Sequence, residues 1–294
     1  MTKFQLSCES TVDMPYSYVT GRDISVVFYT YTVDGVEYVD DMGRDENALP
    51  NFHKMLKEGK MPTTSQINQY NYTEYFEELL KKGDVLHIAF GRGMSASVVN
   101  AQNAAKELSE QYPDRKIIVV DTLASSSGYG MVVDYAADMR DAGKSMEEIE
   151  SWILENRLNM HHQIFATDLQ HLKRGGRVSG PAATLGTILG ICPIMRLNER
   201  GSITAYSKVR SKKKAIAETV KAMEDHVQNG YDYDGKCFVS HADCLEDAQT
   251  VKSIIEEKFK NVEVKIFDIG TIIASHTGQG TLALFFMGDD RSKL

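Results

Sequence analysis

The sequence predicts an α/β protein, with a parallel-sheet α/β/α first half and a second α/β half that contains a hairpin. Three observations predict it. The apolar runs DVLHIAF (84–90) and KIIVVDT (116–122) alternate with amphipathic helical patterns, the rhythm of a parallel sheet covered on both faces. Two later runs, PIMRL (193–197) and SITAYSKV (202–209), flank the turn-like segment 198–201, which reads as a hairpin. The 294 residues are 42% hydrophobic and 25% charged, an ordinary globular composition. Such a chain buries roughly 75% of the surface it exposes when unfolded, enough for a core without disulfides or metals.

The elements follow in order. Segment 72–82 places Tyr72, Tyr75, Phe76, Leu79 and Leu80 on one helical face. Asn71 is its expected cap, with Glu74 in support and Gly83 as its stop. After the run at 84–90 comes GRGMSAS, then a helix with Val98, Val99, Ala101, Ala105 and Leu108 inward. After KIIVVDT comes SSSGYG, then a helix to about Arg140. Ser145 and Glu148 form a capping box for the helix bearing Ile149, Trp152 and Ile153. QIFATD (163–168) reads as a strand, and a Gly-rich basic stretch follows it. A helix over 212–228, the strand KCFVSHA, a helix near 245–260 and the strand VEVKIFD resume the alternation, and TLALFFM is the last strand. The change of texture near 160 divides the chain into domains 1–160 and 161–294.

Charge and cysteines narrow the function. Thirty-three basic against 41 acidic residues give a net charge of −8, which disfavours a phosphate backbone as partner. Cys8, Cys192, Cys237 and Cys244 form no CxxC and no zinc-finger spacing. The first ten residues lack the apolar core of a signal peptide. No apolar run approaches the ~20 residues that span a bilayer. These features predict a cytoplasmic protein with reduced thiols, no metal and no nucleic-acid partner.

Several segments carry possible chemistry, each with a plainer alternative. In CESTVDMP (8–15), Ser10, Thr11 and Asp13 precede Pro15 as hydroxyl and carboxylate caps of a strand-to-helix turn. In MPTTSQ (61–66), Thr63, Thr64, Ser65 and Gln66 offer uncharged donors suited to a carboxylate, or a loop and helix cap. Ser95 in GRGMSAS stands at a helix start, as anion ligand or as cap. Lys173, Arg174 and Arg177 surround two glycines in KRGGRVSG, either an anion site or a solvated loop. KVRSKKKA (208–215) puts lysines at a helix start, against the macrodipole, either as a binding patch or as a solvated helix start. His276 lies in a Gly-rich loop between two strand-like segments, either as a proton-transfer residue or as a structural histidine. His161, His162 and His171 have no metal-ligand spacing.

The order of these segments is more specific than any one of them. CESTVDMP, PTTSQ, the Gly/Ser loop, DTLASSSGYG (121–130), LKRGGRVSG (172–180), GTILGICPIMRL (186–197), KVRSKKKA and SHTGQGTLALFF (275–286) resemble the DegV family of fatty-acid-binding proteins over nearly the whole chain. The resemblance implies a two-domain DegV-like fold with one long-chain fatty acid, such as palmitate, stearate or oleate, in a tunnel between the domains. It implies that Thr64 and Ser95 hold the carboxylate, with Thr63, Ser65, Arg177, Arg210 and His276 as secondary contacts near the head group. It also implies a carrier with no catalytic residue and no cofactor, and the chain is expected to be a monomer. Its partners would be a soluble fatty acid kinase and, at most transiently, a membrane. Departures from the family's pattern are Glu9 where aspartate is common, Gly91-Arg92 and Ala96-Ser97 in the Gly/Ser loop, and Gln279 for proline. Arg92 adds a charge expected beside the carboxylate mouth. The rival reading is a stand-alone phosphoryl- or acyl-transfer enzyme using Arg177, Arg210 and His276. No Walker A loop or evident Mg²⁺ carboxylate pair supports it.

Overall fold

In the computed structural model, which describes residues 4–167, 169–179 and 191–294, three sheets carry the chain. The first half supplies β1 (Gln5–Glu9), α1 (Tyr16–Gly21), β2 (Ile24–Val27), β3 (Thr30–Val33), β4 (Val36–Val39), α2 (Ala48–Lys57), β5 (Thr63–Ser65), α3 (Gln69–Leu80), β6 (Val85–Ala89), α4 (Ser97–Gln111), β7 (Ile117–Asp121), α5 (Ser126–Asp141) and α6 (Met146–Asn156). The second supplies β8 (Met160–Phe165), α7 (Leu169–Gly175), β9 (Val178–Ser179), β10 (Ile191–Leu197), β11 (Ile203–Arg210), α8 (Lys212–His226), β12 (Cys237–His241), α9 (Leu245–Lys258), β13 (Val264–Asp268), α10 (Thr271–Thr277) and β14 (Leu282–Met287). Asp168 of QIFATD, Gly180 of LKRGGRVSG and residues 181–190, which include the start of GTILGICPIMRL, lie outside the described residues.

The first sheet has the order β2-β1-β6-β7 and all its pairs are parallel. Every residue of β6 is buried, so its sequence is a continuous apolar run rather than an alternating one. Helices α1, α3, α4 and α6 pack on this sheet. A small antiparallel sheet, β4-β3-β5, stands beside it. The second half builds a seven-stranded mixed sheet, β13-β12-β14-β8-β10-β11-β9. The expected hairpin is β10–β11. Its turn is held by Asn198 Oδ1, which accepts from Arg200 N and Ser202 N at 3.0 Å each.

Helix α5 explains the SSSGYG segment. It packs on β8, β12 and β14. A Cβ on Gly128 would lie 2.5 Å from His162 Nε2, and one on Gly130 would lie 2.6 Å from Val12 O. The glycines therefore serve close packing toward both halves. The three serines are ties: Ser125 N donates to His162 Nε2 (3.1 Å), Ser126 Oγ to Asp13 Oδ2 (2.5 Å), and Ser127 Oγ to Asp13 O (2.8 Å).

Several local expectations need correction. The cap of α3 is Asn68, whose side chain accepts from Asn71 N; the helix starts one turn earlier than the apolar pattern suggests. Val99 is 44% exposed, because the inward face of α4 runs through Val98, Ala101, Ala105 and Leu108. MPTTSQ forms strand β5 rather than a loop. His276 sits on helix α10, not in a loop. Residues 10–12 form a single 3₁₀ turn, and Ser10 Oγ accepts from Tyr29 N instead of capping α1. The capping box of Ser145 and Glu148 is present on α6. All four cysteines are free.

Candidate functional site

In an open parallel sheet, ligands dock beyond the C-terminal strand ends. A cavity of about 570 Å³ lies there, lined by the loop after β6 and by Ser125 at the start of α5. That volume falls in the ~300–1,000 Å³ range of small-molecule sites. The first half contributes Tyr29, Thr64, Ser65, Gln66, Phe90, Met94, Ser95, Ala96 and Ser125. From the second half come Leu172, Arg177, Val178, Ile203, Ile272, Ile273, His276 and Thr277. Most of the second-half wall is branched aliphatic. The polar groups are hydroxyls, one amide, one imidazole and, as the cation of the described lining, Arg177.

Five of the seven residues singled out in the sequence meet here: Thr64, Ser65, Ser95, Arg177 and His276. Thr63 and Arg210 are not among the described lining. Thr63 is exposed at the start of β5. Arg210 is exposed at the end of β11.

Thr64 Oγ1 lies 2.8 Å from His276 Nε2, joining β5 to α10 across the two halves. Burial, reinforced by the nearby Arg177 charge and opposed by the Gly175 carbonyl, pushes the His276 imidazole down to about 4. It is therefore neutral at physiological pH. Arg177 Nη1 donates to Gly175 O at 2.8 Å. A Cβ on Gly175 would sit 2.5 Å from His276 O, so only glycine lets α7 approach α10 this closely.

Ser95 belongs to a hydroxyl cluster. Tyr29 Oη donates to Ser95 Oγ (3.2 Å), Ser97 N donates to it (3.2 Å), and Ser95 Oγ donates to Ser97 Oγ (3.1 Å). Ser97 Oγ also accepts from Ile67 N at 3.0 Å, and Asn100 Nδ2 donates to Ile67 O at 2.8 Å. These two bonds tie the end of the PTTSQ segment to the head of α4, linking the strand that carries Thr64 to the loop that carries Ser95.

Beneath the loop lies a buried carboxylate, Glu9, with no exposed surface. Its Oε2 accepts from Phe90 N (2.8 Å) and Tyr129 Oη (2.5 Å), and its Oε1 from Tyr72 Oη (2.8 Å). His87 Nε2 is 3.3 Å from Oε1. Burial raises the Glu9 carboxyl, but the His87 charge and the hydrogen bonds from His87, Tyr129 and Phe90 N outweigh it and leave the group below its ordinary value.

Arg92 does not charge the mouth. Its Nε pairs with Asp121 Oδ2, and its backbone N donates to Asp121 Oδ1 at 3.2 Å, which keeps it off the cavity lining. Gln279 Nε2 donates to His53 O (3.1 Å) and Asp243 Oδ2 (3.0 Å), a bridge between α2 and the second half. Tyr29 and Asn100 carry no motif signal, and Ser97, inside the Gly/Ser loop, is not singled out by it; the folded positions bring all three to the site.

The DegV family model, described as "Uncharacterised protein, DegV family", matches residues 3–289. A DegV domain-containing protein of Clostridium perfringens is 39% identical over 293 residues, covering 99% of each chain. The chain belongs to the DegV family. Among solved structures, a DegV family protein of Thermus thermophilus described for its fatty acid binding superposes with a TM-score of 0.85. It is 28% identical, and the match covers 98% of this chain and 100% of that one. A fatty acid binding DegV family protein of Streptococcus agalactiae gives 0.82 at 26% identity, with coverage of 98% and 100%. These DegV neighbours share the mixed α/β architecture over the full chain. Among the described residues no three His, Cys, Asp or Glu side chains group to hold a metal. No helix of the described residues is long and apolar enough to cross a membrane.

Proposed function

We propose that this DegV protein binds one long-chain fatty acid, such as palmitate, stearate or oleate, between its two domains, 1–160 and 161–294. Thr64 and Ser95 receive the carboxylate, and Ser65, Arg177 and His276 complete the head-group environment. The observation that carries this reading is the meeting of these five side chains at one cavity with an aliphatic wall. The fatty acid binding described for the Thermus and Streptococcus relatives supports it.

The energetics suit a carrier. Burying about 14 methylenes at ~0.8 kcal/mol each gives a ceiling of roughly 11 kcal/mol, less the lost ligand freedom. The tail supplies affinity, and hydroxyl donors need only orient the head group. A carboxylate held by hydroxyls rather than a tight ion pair stays available for transfer. The chain then acts in the cytoplasm as a monomeric, non-catalytic subunit. It presents the carboxylate to a soluble fatty acid kinase for acyl-phosphate formation that feeds phospholipid metabolism, and it exchanges lipid in brief membrane contact. The exposure of Arg210 on β11 supports a contact with that partner.

Mass spectrometry of gently denatured protein tests the binding. A C14–C18 acid is the expected release. Absence of any acid, together with no uptake of added palmitate or oleate, overturns the reading. Incubation with ATP and fatty acid, with and without a fatty acid kinase, tests the division of labour. ADP release by the chain alone contradicts it.

A further inference from the structure

We propose that Tyr29 is a positioning residue for the ligand carboxylate, holding Ser95 so that the serine hydroxyl turns its proton to the incoming acid. This rests on the reading that a fatty-acid carboxylate docks at Ser95.

Tyr29 stands between β2 and β3 and is buried. Its backbone is fixed at both groups: N donates to Ser10 Oγ at 3.1 Å, and O accepts from Asp40 N at 3.0 Å. Its ring meets Phe90 edge-on, with centroids 6.3 Å apart. The side chain is thus aimed by the packing, with its oxygen 3.2 Å from Ser95 Oγ.

A serine hydroxyl has one proton to give and two lone pairs to fill. At Ser95 the Tyr29 hydroxyl and the Ser97 N–H fill both lone pairs, and the proton goes to Ser97 Oγ. An ionised carboxylate only accepts, so Ser95 meets it as a donor; with both lone pairs filled by Tyr29 and Ser97 N, the serine proton is its one remaining group to turn. A carboxylate is the stronger acceptor, and the proton swings from Ser97 Oγ to the ligand while the two incoming bonds persist. Donation from Tyr29 polarises the Ser95 O–H in the same direction. The Tyr29 phenol keeps its own proton, because burial and the neighbouring Glu9 charge push it well up. The donor into Ser95 is therefore constant across physiological pH.

The test uses the full chain loaded with palmitate labelled with ¹³C at its carboxyl carbon. Carboxyl resonances are followed against pH, and palmitate affinity is measured at pH 7.5. Tyr29→Phe removes one oxygen and keeps the ring against Phe90. The expected result is a rise of about one unit in the carboxyl titration midpoint and about a fivefold loss of affinity. Phe90→Leu disturbs the same wall without touching a hydroxyl; it lowers affinity and moves the midpoint by less than about 0.3 unit, well inside the one-unit effect. An unmoved midpoint in Tyr29→Phe overturns the proposal, as does an equal shift in Phe90→Leu. If unsubstituted protein takes up no palmitate, the fatty-acid reading itself fails, which a loaded but unshifted Tyr29→Phe does not imply.

Discussion

Replacing Glu9 by glutamine tests whether a buried charge supports the Gly/Ser loop. The carboxylate accepts from Phe90 N, Tyr129 Oη and Tyr72 Oη, with His87 Nε2 close by. Glutamine keeps one acceptor oxygen and turns the other into a donor. The Phe90 N–H cannot turn away, so the amide oxygen must stay on that side, leaving the new NH₂ against Tyr72 and His87. One rotatable hydroxyl can adapt; the attraction to His87 is lost. Unmaking one side of a buried charged network costs about 2–4 kcal/mol. Urea unfolding at pH 7 should show that loss with an unchanged slope. The pH dependence supplies a second check. A carboxyl whose folded value lies below its unfolded one adds stability above the ordinary glutamate range and loses it as pH falls through the folded value. The gap between the two proteins should therefore narrow below about pH 4. A loss under ~0.5 kcal/mol at pH 7, or a gap that ignores pH, would refute the assignment of Glu9 as an ionised anchor.

Two further outcomes follow. Ser95→Ala and Thr64→Val each remove one head-group donor, so oleate affinity should fall about tenfold and methyl oleate, a neutral and weaker acceptor, by less. Phosphorylation by a fatty acid kinase should fall further than affinity, and an equal fall would contradict the separation of tail binding from head-group orientation. Asp40, buried and bonded to Thr271 Oγ1 at 2.8 Å, has its carboxyl raised to about 6, chiefly by burial. A raised carboxyl penalises the native state once ionised, so the penalty grows as pH rises from about 4 to above 6. Asp40→Asn should gain about 2–3 kcal/mol relative to the unsubstituted protein between pH 4 and pH 8. A pH-independent difference in denaturation curves would argue that Asp40 stays protonated.

Much of the framework was legible because it was locally determined. The apolar run at 84–90 became β6, the capping box became the start of α6, and the Asn198 turn joined two strands as its residues suggest. The small sheet was not legible. Strand β4, VEYV, is exposed along its whole length, and β5 is three polar residues; neither has an apolar alternation. Helix α10 reads TIIASHT, rich in β-branched residues that favour strands locally. Its packing on α7, with Gly175 against His276, overrides that preference. The motifs named Thr64, Ser95 and His276, but the contact of Thr64 with His276, 212 residues away, needs the fold. Arg92 was visible as a charge; its partner Asp121, 29 residues away, was not. Tyr29 lies in a hydrophobic stretch without any motif, and its distance to Ser95 exists only in the fold.

Gly93 in the Ser95 loop lies against the backbone of Gly201 and Arg200 so closely that a Cβ there would collide. Gly201 itself has φ +74, a conformation that favours glycine independently. Two sequence-distant glycines thus form one steric lock between the first half's ligand loop and the second half's hairpin turn. Over evolutionary drift, position 93 cannot change size alone. A larger residue needs a compensating change in the length or path of the 198–201 turn. Diversification of the head-group loop is thereby tied to a hairpin that lines the same cavity through Ile203, so the two faces of the pocket can diversify only together.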